Sequence, residues 1–203
     1  MRIVTVAQTP IRRTREEIET AVRSATLALA EEAPFKDLTV DQIARASGIS
    51  RTAFYFYFRG KHDLLRAAME EVSDETYREA DRWWHGEGEP RVLIRAAIEG
   101  VVAVYLRHAG LMRVVQEVAM YDAEMSELWR ELMDRFITAT ADHLRREQAA
   151  GRLRELDPEE TAESLVWMME RCNYVYLGLE RRDSEHVVET LTAIWYHALY
   201  PDD

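Results

Sequence analysis

Residues 38–58, LTVDQIARASGISRTAFYFYF, are the most informative segment of the sequence. Their pattern predicts two short helices joined by a tight turn. Thr39 and Gln42 have the spacing of a capping box at the start of the first helix. Gly48 supplies the permissive backbone that a sharp turn needs, and Ser50 is placed to cap the second helix. The pattern predicts a helix-turn-helix whose second helix enters a groove of DNA.

The second helix carries groups suited to DNA at its exposed amino end. The guanidinium of Arg51 matches the two acceptors of guanine; in the alternative it binds a phosphate or stays solvated. The phenols of Tyr55 and Tyr57 reach phosphates in one interpretation and pack beside neighbouring phenylalanines in the other. A further set fits contacts to the DNA backbone, which fix register without reading sequence: Thr39, Ser50, Thr52 and Lys61.

The charge of the chain is divided unevenly along its length. The 203 residues have a formal net charge of −11, which by itself argues against binding to phosphates. Residues 1–66, however, carry eleven Lys or Arg and eight Asp or Glu, whereas residues 67–203 carry fifteen and twenty-nine. The two parts therefore have net charges of +3 and −14, and the basic part is the one that holds the helix-turn-helix.

The rest of the chain has helical periodicity and no alternating strand pattern. We predict an all-α protein of about nine helices, the first beginning near Arg12 and the last running from Ser184 to Tyr200. One helix is expected to run from Pro158 to near Arg182. We divide the chain into a helix-turn-helix domain, residues 1–60, and a larger helical domain, residues 61–203.

The composition argues against a membrane or secreted protein. No run approaches the roughly 20 apolar residues of a membrane span, and the first ten residues lack the pattern of a signal peptide. Cys172 is the one cysteine, so no intrachain disulfide can form, and we expect a cytoplasmic protein.

No constellation of catalytic or metal-binding residues is visible. The six histidines include no pair at metal-ligand spacing on one helix turn, and a single cysteine cannot build a thiolate zinc site. The sequence also lacks a nucleophile elbow and a phosphate-binding loop. We therefore expect a protein that is not an enzyme and that has neither a cofactor nor a metal.

Large, adaptable side chains recur at helical spacing in the second half of the chain. Those sharing a face on two successive helices are Trp129, Met133, Phe136 and Thr140, and then Trp167, Glu170 and Tyr174. Such stripes are either plain core or the wall of a mostly apolar ligand pocket with a few polar groups. Glu170 itself is open to two interpretations, a structural ion pair or a ligand contact. The candidate pocket is completed by Tyr105, Trp195, Met169 and Asn173.

The segment 38–61 resembles the DNA-binding domain of the TetR family of transcriptional regulators. The motifs that carry the resemblance are TVDQIA at 39–44, GIS at 48–50, FYFYF at 54–58, and Lys61. Within that family the chain resembles the ethionamide-resistance-repressor branch, through SRxxFYFYF at 50–58, ELW at 127–129, MMER at 168–171 and IW at 194–195.

This resemblance implies a homodimer that binds a palindromic double-stranded DNA operator and releases it when a small apolar effector enters the second domain. The dimer is expected to form through the last two helices of each subunit, packed as a four-helix bundle. Met169 stands where that branch tends to carry Asn, so a polar contact to the ligand is predicted to be lost. Positions that line the pocket in that branch match Trp129, Met133, Phe136, Thr140, Glu170, Tyr174 and Trp195. The alternative is a ligand-binding or interaction protein whose helix-turn-helix is vestigial.

Overall fold

Nine α-helices account for most of residues 13–201, the part of the chain that the structure, a computed structural model, describes. They are α1 (Arg15–Glu32), α2 (Val40–Ala46), α3 (Arg51–Tyr57), α4 (Lys61–Trp84), α5 (Pro90–Arg107), α6 (Ala109–Ala119), α7 (Ala123–Ala149), α8 (Pro158–Cys172) and α9 (Ser184–Leu199). Because no strand occurs in these residues, the predicted all-α fold of about nine helices is confirmed. The described residues separate into two compact units, which divide between Lys61 and His62.

The local sequence sets both helix starts and the turn of the helix-turn-helix. The Thr39 hydroxyl accepts from the Gln42 backbone N–H at 3.3 Å, and the Gln42 side-chain oxygen accepts from the Thr39 backbone N–H at 2.8 Å. Ser50 caps α3 by accepting from the Ala53 backbone N–H at 3.0 Å. Between the two helices Gly48 has a φ of +71°, a conformation that favours glycine.

The core of the first unit is apolar and closed. Side chains with no exposed surface come from α1, from the 3₁₀ turn before α2, and from α2 and α3: Val22, Phe35, Ile43 and Phe54. The rings of Phe54 and Phe58 lie 5.5 Å apart on one face of the recognition helix α3, so its opposite face is left for solvent. The start of α1 is Arg15, after a capping box of Thr14 and Glu17, whereas the predicted start at Arg12 lies outside the described residues.

The second unit contains α4 to α9. Within it α8 packs along α7, and α9 packs along α5. Trp83 of α4 meets Trp195 of α9 edge to face, with ring centroids 5.4 Å apart. None of the helices described is both long and apolar enough to cross a membrane.

The helix predicted from Pro158 to near Arg182 is not one uninterrupted α-helix. The α-helical bonding ends at Cys172, and Asn173–Leu179 continues as a π-helix. Gly178 lies in this segment, and a Cβ at that position would overlap the Tyr105 hydroxyl, so the close packing of Tyr105 requires glycine there. Short π-helical segments are uncommon and frequently occur at functional sites.

Candidate functional site

The amino end of α3 presents an exposed arginine that is already paired. Arg51 Nη1 lies 3.1 Å from a carboxylate oxygen of Asp41 on α2, and both side chains are at least half exposed. The Arg51 guanidinium also lies over the Tyr55 ring, 5.6 Å from its centroid. Because exposed ion pairs contribute little free energy, this arrangement holds Arg51 at the surface without preventing its transfer to a base or phosphate.

The remaining predicted DNA contacts on α2 and α3 differ in exposure. Thr39, Ser50 and Thr52 are exposed, and 47% of Tyr55 is accessible to solvent. Tyr57 is half-buried, with the Arg15 guanidinium 5.8 Å from its ring centroid. Sequence reasoning passed over Phe56, which is 78% exposed between the two tyrosines; a lone apolar residue on a short amphipathic helix gave no signal for DNA.

Lys61 is used inside the first unit. Its ammonium donates to the carbonyl oxygens of Phe35, Lys36 and Leu38 at 2.8, 2.7 and 2.8 Å, and it lies 4.9 Å from the Phe35 ring centroid. Burial lowers the pKa of Lys61, with Asp37 opposing that shift. Since an ammonium has three protons and all three are engaged here, the geometry does not favour the predicted phosphate contact of Lys61.

The second unit contains a partly open cavity of about 140 Å³ between α4, α5, α6, α7, α8 and α9. Nine of the eleven residues predicted for the pocket line it: Tyr105, Trp129, Met133, Phe136, Thr140, Met169, Glu170, Asn173 and Trp195. The wall is mostly apolar and aromatic, as small-ligand sites are.

Trp167 and Tyr174 do not line this cavity; both are half-buried residues elsewhere on the helix. The lining stripe is Val166, Met169, Glu170 and Asn173, which are spaced as one face of a helix. At roughly 100° per residue, Trp167 and Tyr174 point well away from the centre of that face. The structure therefore does not bring these two aromatic residues together with Glu170 in the cavity wall.

Sequence reasoning missed the contribution of α4 and most of that of α5. Additional lining residues are Met69, Val72, Ser73, Thr76, Ala80, Trp83, Trp84, Ile94, Ala97, Ile98, Val101, Met112, Leu132 and Val166. The apolar stripes of α4 and α5 look like ordinary core in the sequence, because only the tertiary packing leaves a space beside them. The adjacent Trp83 and Trp84 were the one available signal.

Several buried polar atoms on the cavity wall have no hydrogen-bond partner. These are Ser73 Oγ, Trp83 Nε1, Glu170 Oε2, Asn173 Oδ1 and Trp195 Nε1. By contrast, Trp84 Nε1 donates to Thr140 Oγ1 at 3.3 Å. Because an unpaired buried polar group costs free energy, the first set marks where a bound molecule gains most by contributing partners.

Glu170 and Tyr105 are the ionisable groups at the cavity. Burial raises the pKa of Glu170, against the opposing effects of Arg171 and of the hydrogen bond from Gln116. Burial first and the Glu170 charge second raise the pKa of Tyr105 to about 12, so its phenol stays protonated. Among residues 13–201 no cluster of three or more His, Cys, Asp or Glu is placed to hold a metal ion.

Comparison with known proteins agrees with both halves of this architecture. The family model described as bacterial regulatory proteins, tetR family, matches residues 22–68, and that described as transcriptional regulator EthR, C-terminal domain, matches residues 94–201. The HTH-type transcriptional regulator EthR of Mycolicibacterium smegmatis is 31% identical over 193 residues, covering 91% of this chain and 87% of that protein.

Two solved structures share the fold. A TetR-family transcriptional regulator from Syntrophomonas wolfei has a TM-score of 0.77 at 16% identity, over 89% of this chain and 94% of that chain. NalD of Pseudomonas aeruginosa, the secondary repressor of the MexAB-OprM multidrug efflux pump, has a TM-score of 0.75 at 20% identity, over 93% and 99%. The family and the branch predicted from the sequence are both confirmed. The chain belongs to the TetR family of transcriptional regulators and carries an EthR-type C-terminal domain.

Proposed function

We propose that this regulator is a homodimeric repressor that leaves a palindromic DNA operator when a small, mainly apolar effector enters the cavity. In this proposal residues 1–60 bind the DNA and residues 61–203 bind the effector and form the dimer. The cavity carries the proposal, because it is a partly open, largely apolar space with unsatisfied polar atoms in its wall.

The DNA half of the proposal is supported by exposure and charge. The exposed polar residues Thr39, Ser50, Arg51, Thr52 and Tyr55 cluster on α2 and α3, with Tyr57 beside them. Residues 1–66 have a net charge of +3 and residues 67–203 one of −14. Like-charge repulsion from DNA therefore favours an approach through the first unit. Arg51 reads a base, and the hydroxyl groups fix the register on the phosphates.

Helix α4 is the element that we propose couples the two events. It begins at Lys61, whose ammonium holds carbonyls of the first unit, and its residues from Met69 to Trp84 supply part of the cavity wall. An effector that binds better when this wall is displaced shifts the protein toward the displaced state. In that state the spacing of the two recognition helices of the dimer no longer matches successive major grooves of DNA, which are about 34 Å apart.

The dimer is proposed to form through α8 and α9. Trp167 and Tyr174 remain half-buried in the single chain, Leu179 is 57% exposed and Ile194 is 44% exposed. Apolar side chains left at the surface in this way are typical of a subunit interface. In sedimentation experiments Ile194→Glu should shift the protein from dimer to monomer, while Thr138→Glu, at an exposed position of α7 outside the proposed interface, serves as the charge control. An Ile194→Glu protein that remains a dimer argues for a different interface.

A DNA titration tests the regulator proposal. Duplex DNA from upstream of the protein's own coding sequence should bind more tightly than a scrambled duplex of equal length, and the affinity should fall as salt rises. Equal, salt-insensitive weak binding to both duplexes would instead identify a ligand-binding or interaction protein with a vestigial helix-turn-helix.

A further inference from the structure

Glu170 and Asn173 place two buried hydrogen-bond acceptors without partners on the wall of the cavity. Glu170 and Asn173 are one helical turn apart and are only 9% and 4% exposed. Glu170 Oε1 accepts from the Gln116 side-chain amide, whereas Glu170 Oε2 and Asn173 Oδ1 have no hydrogen-bond partner. The π-helix begins at Asn173, so this acceptor lies where the regular bonding of α8 ends.

The negative charge of Glu170 is incompletely compensated by its neighbours. Arg171 Nη2 lies 3.3 Å from Glu170 Oε2 but without the orientation of a hydrogen bond. The Arg171 side chain is 55% exposed, and its guanidinium lies over the Tyr174 ring, 5.1 Å from the centroid. Solvent therefore screens the one nearby positive charge, while the carboxylate itself is buried.

The rest of the wall is suited to a cation and unsuited to an anion. Among the residues of the described chain that line the cavity, none is Lys, Arg or His. Six are aromatic, and their ring faces attract positive charge: Trp83, Trp84, Tyr105, Trp129, Phe136 and Trp195. The net charge of −14 on residues 67–203 also raises the local concentration of cations.

We propose that the effector of this regulator is a small lipophilic ammonium ion, whose N–H groups donate to Glu170 and Asn173 and whose apolar part packs against the aromatic wall. The inference rests on the proposed function, since it names the chemical class of the effector in the same cavity. It assigns to Asn173 the polar contact that the Met169 position does not supply. A carboxylate of the same shape is disfavoured, because its charge would lie beside the Glu170 carboxylate, and none of the described residues that line the cavity is Lys, Arg or His.

Three probes of equal shape and different charge test this assignment. The cavity of about 140 Å³ is close to the size that accommodates a single benzene ring, so benzylammonium, benzyl alcohol and benzoate are suitable. Quenching of intrinsic tryptophan fluorescence and calorimetry report binding to the full-length protein. Benzylammonium should bind at least about tenfold more tightly than benzyl alcohol, and benzoate should bind most weakly.

Substitutions at Glu170 and Asn173 separate the contribution of charge to ligand binding from that of packing. Glu170→Gln preserves the shape and should remove the roughly tenfold preference for benzylammonium while leaving benzyl alcohol affinity nearly unchanged. Glu163→Gln, on the exposed side of the same helix, is the matched control and should leave the preference intact. Asn173→Leu should weaken benzylammonium by about threefold to tenfold and benzyl alcohol by less, because the lost acceptor bonds more strongly to a charged donor. Circular dichroism establishes that each variant is folded.

The binding results for the three probes can contradict the ammonium assignment without contradicting the proposed regulator function. Equal affinities for benzylammonium and benzyl alcohol, or a preference that survives Glu170→Gln, overturn the ammonium assignment and leave the effector pocket in place. No binding of any of the three probes overturns both. If benzylammonium binds as expected but leaves operator affinity unchanged, the ammonium site stands as a ligand site and the release mechanism fails.

Discussion

Lys61 in the first unit is half-buried and Glu170 in the second is buried; both are charged groups, yet their surroundings differ. Three backbone carbonyls accept from the Lys61 ammonium at 2.7–2.8 Å. Glu170 has one hydrogen-bonded oxygen and one without a partner. A charge that its own unit satisfies completely stabilises the fold, whereas a charge left incomplete beside a cavity is available to a ligand. The same test, applied to each buried polar group, separates structural from functional roles here.

Among the substitutions that test this difference between Lys61 and Glu170, Lys61→Met is expected to have the largest effect on free energy. The substitution leaves the carbonyls of Phe35, Lys36 and Leu38 without a shared donor, so the free energy of unfolding of the first unit should fall by about 3 kcal/mol. Chemical denaturation followed by circular dichroism measures this loss. Lys36→Met is the control, because that side chain is exposed. A Lys61→Met protein as stable as the control, with uniformly weaker DNA binding, would restore the phosphate contact predicted from the sequence.

Arg51→Ala should change DNA selectivity rather than stability. Loss of a bidentate contact to guanine should cost about 1–3 kcal/mol on the operator and little on scrambled DNA. The Asp41 partner of Arg51 is itself exposed, so the fold should be unaffected. Parallel titrations of both duplexes measure the difference, with exposed Arg45→Ala as the control. Equal losses on both sequences would make Arg51 a phosphate contact.

Trp129→Ala compared with Trp167→Ala tests which face of the second unit binds the effector. Trp129 lines the cavity and Trp167 does not. Truncation of Trp129 should weaken benzyl alcohol binding by about 1.5 kcal/mol through lost apolar contact, whereas Trp167→Ala should leave that affinity unchanged. Calorimetry with sedimentation separates ligand binding from assembly. An aggregated or monomeric Trp129→Ala protein would assign Trp129 to the core.

The smallest expected effect is a pH dependence of stability caused by His143, a buried side chain with a hydrogen-bond partner at only one of its two ring nitrogens. Its Nδ1 lies 3.1 Å from the Trp84 carbonyl and its Nε2 has no partner. Burial lowers the pKa of His143 below the ordinary 6.5, although the Trp84 carbonyl and Glu147 oppose the shift and Arg146 and His85 add to it. The folded state therefore binds this proton less readily than the unfolded chain does, and stability is lost as pH falls through about 6.5.

The test for His143 compares how much the free energy of unfolding changes with pH in the wild type and in a variant. When the pH falls from about 8 to about 5.5, the free energy of unfolding measured with urea should decrease more for the wild type than for His143→Gln. His197→Gln, which replaces an exposed histidine of α9, is the control. Identical pH dependence in wild type and His143→Gln would show that another group dominates.

The helix-turn-helix was predictable because its signals are local. The capping box of Thr39 and Gln42, the Ser50 cap and the positive φ of Gly48 are each decided within three or four residues. The engagement of Lys61 was not predictable, because its acceptors are at least 23 positions away in the sequence.

The cavity was predictable only in part. Aromatic size drew attention to Trp167 and Tyr174, but the face that lines the cavity is set by how α8 packs against its neighbours. The space beside Ser73 and Ala97 is equally invisible in sequence, since an apolar stripe has the same pattern whether it packs tightly or borders a void. No local sequence pattern predicted the π-helix that begins at Asn173.

Operator affinity measured with the cavity empty and with the cavity saturated by benzylammonium tests the account most directly. Tryptophan fluorescence reports occupancy in the same sample in which DNA anisotropy reports binding. We predict that saturation weakens operator binding at least about tenfold, that operator DNA weakens benzylammonium binding by the same factor, and that Glu170→Gln reduces both effects. Unchanged operator affinity at full occupancy of the cavity would contradict the account.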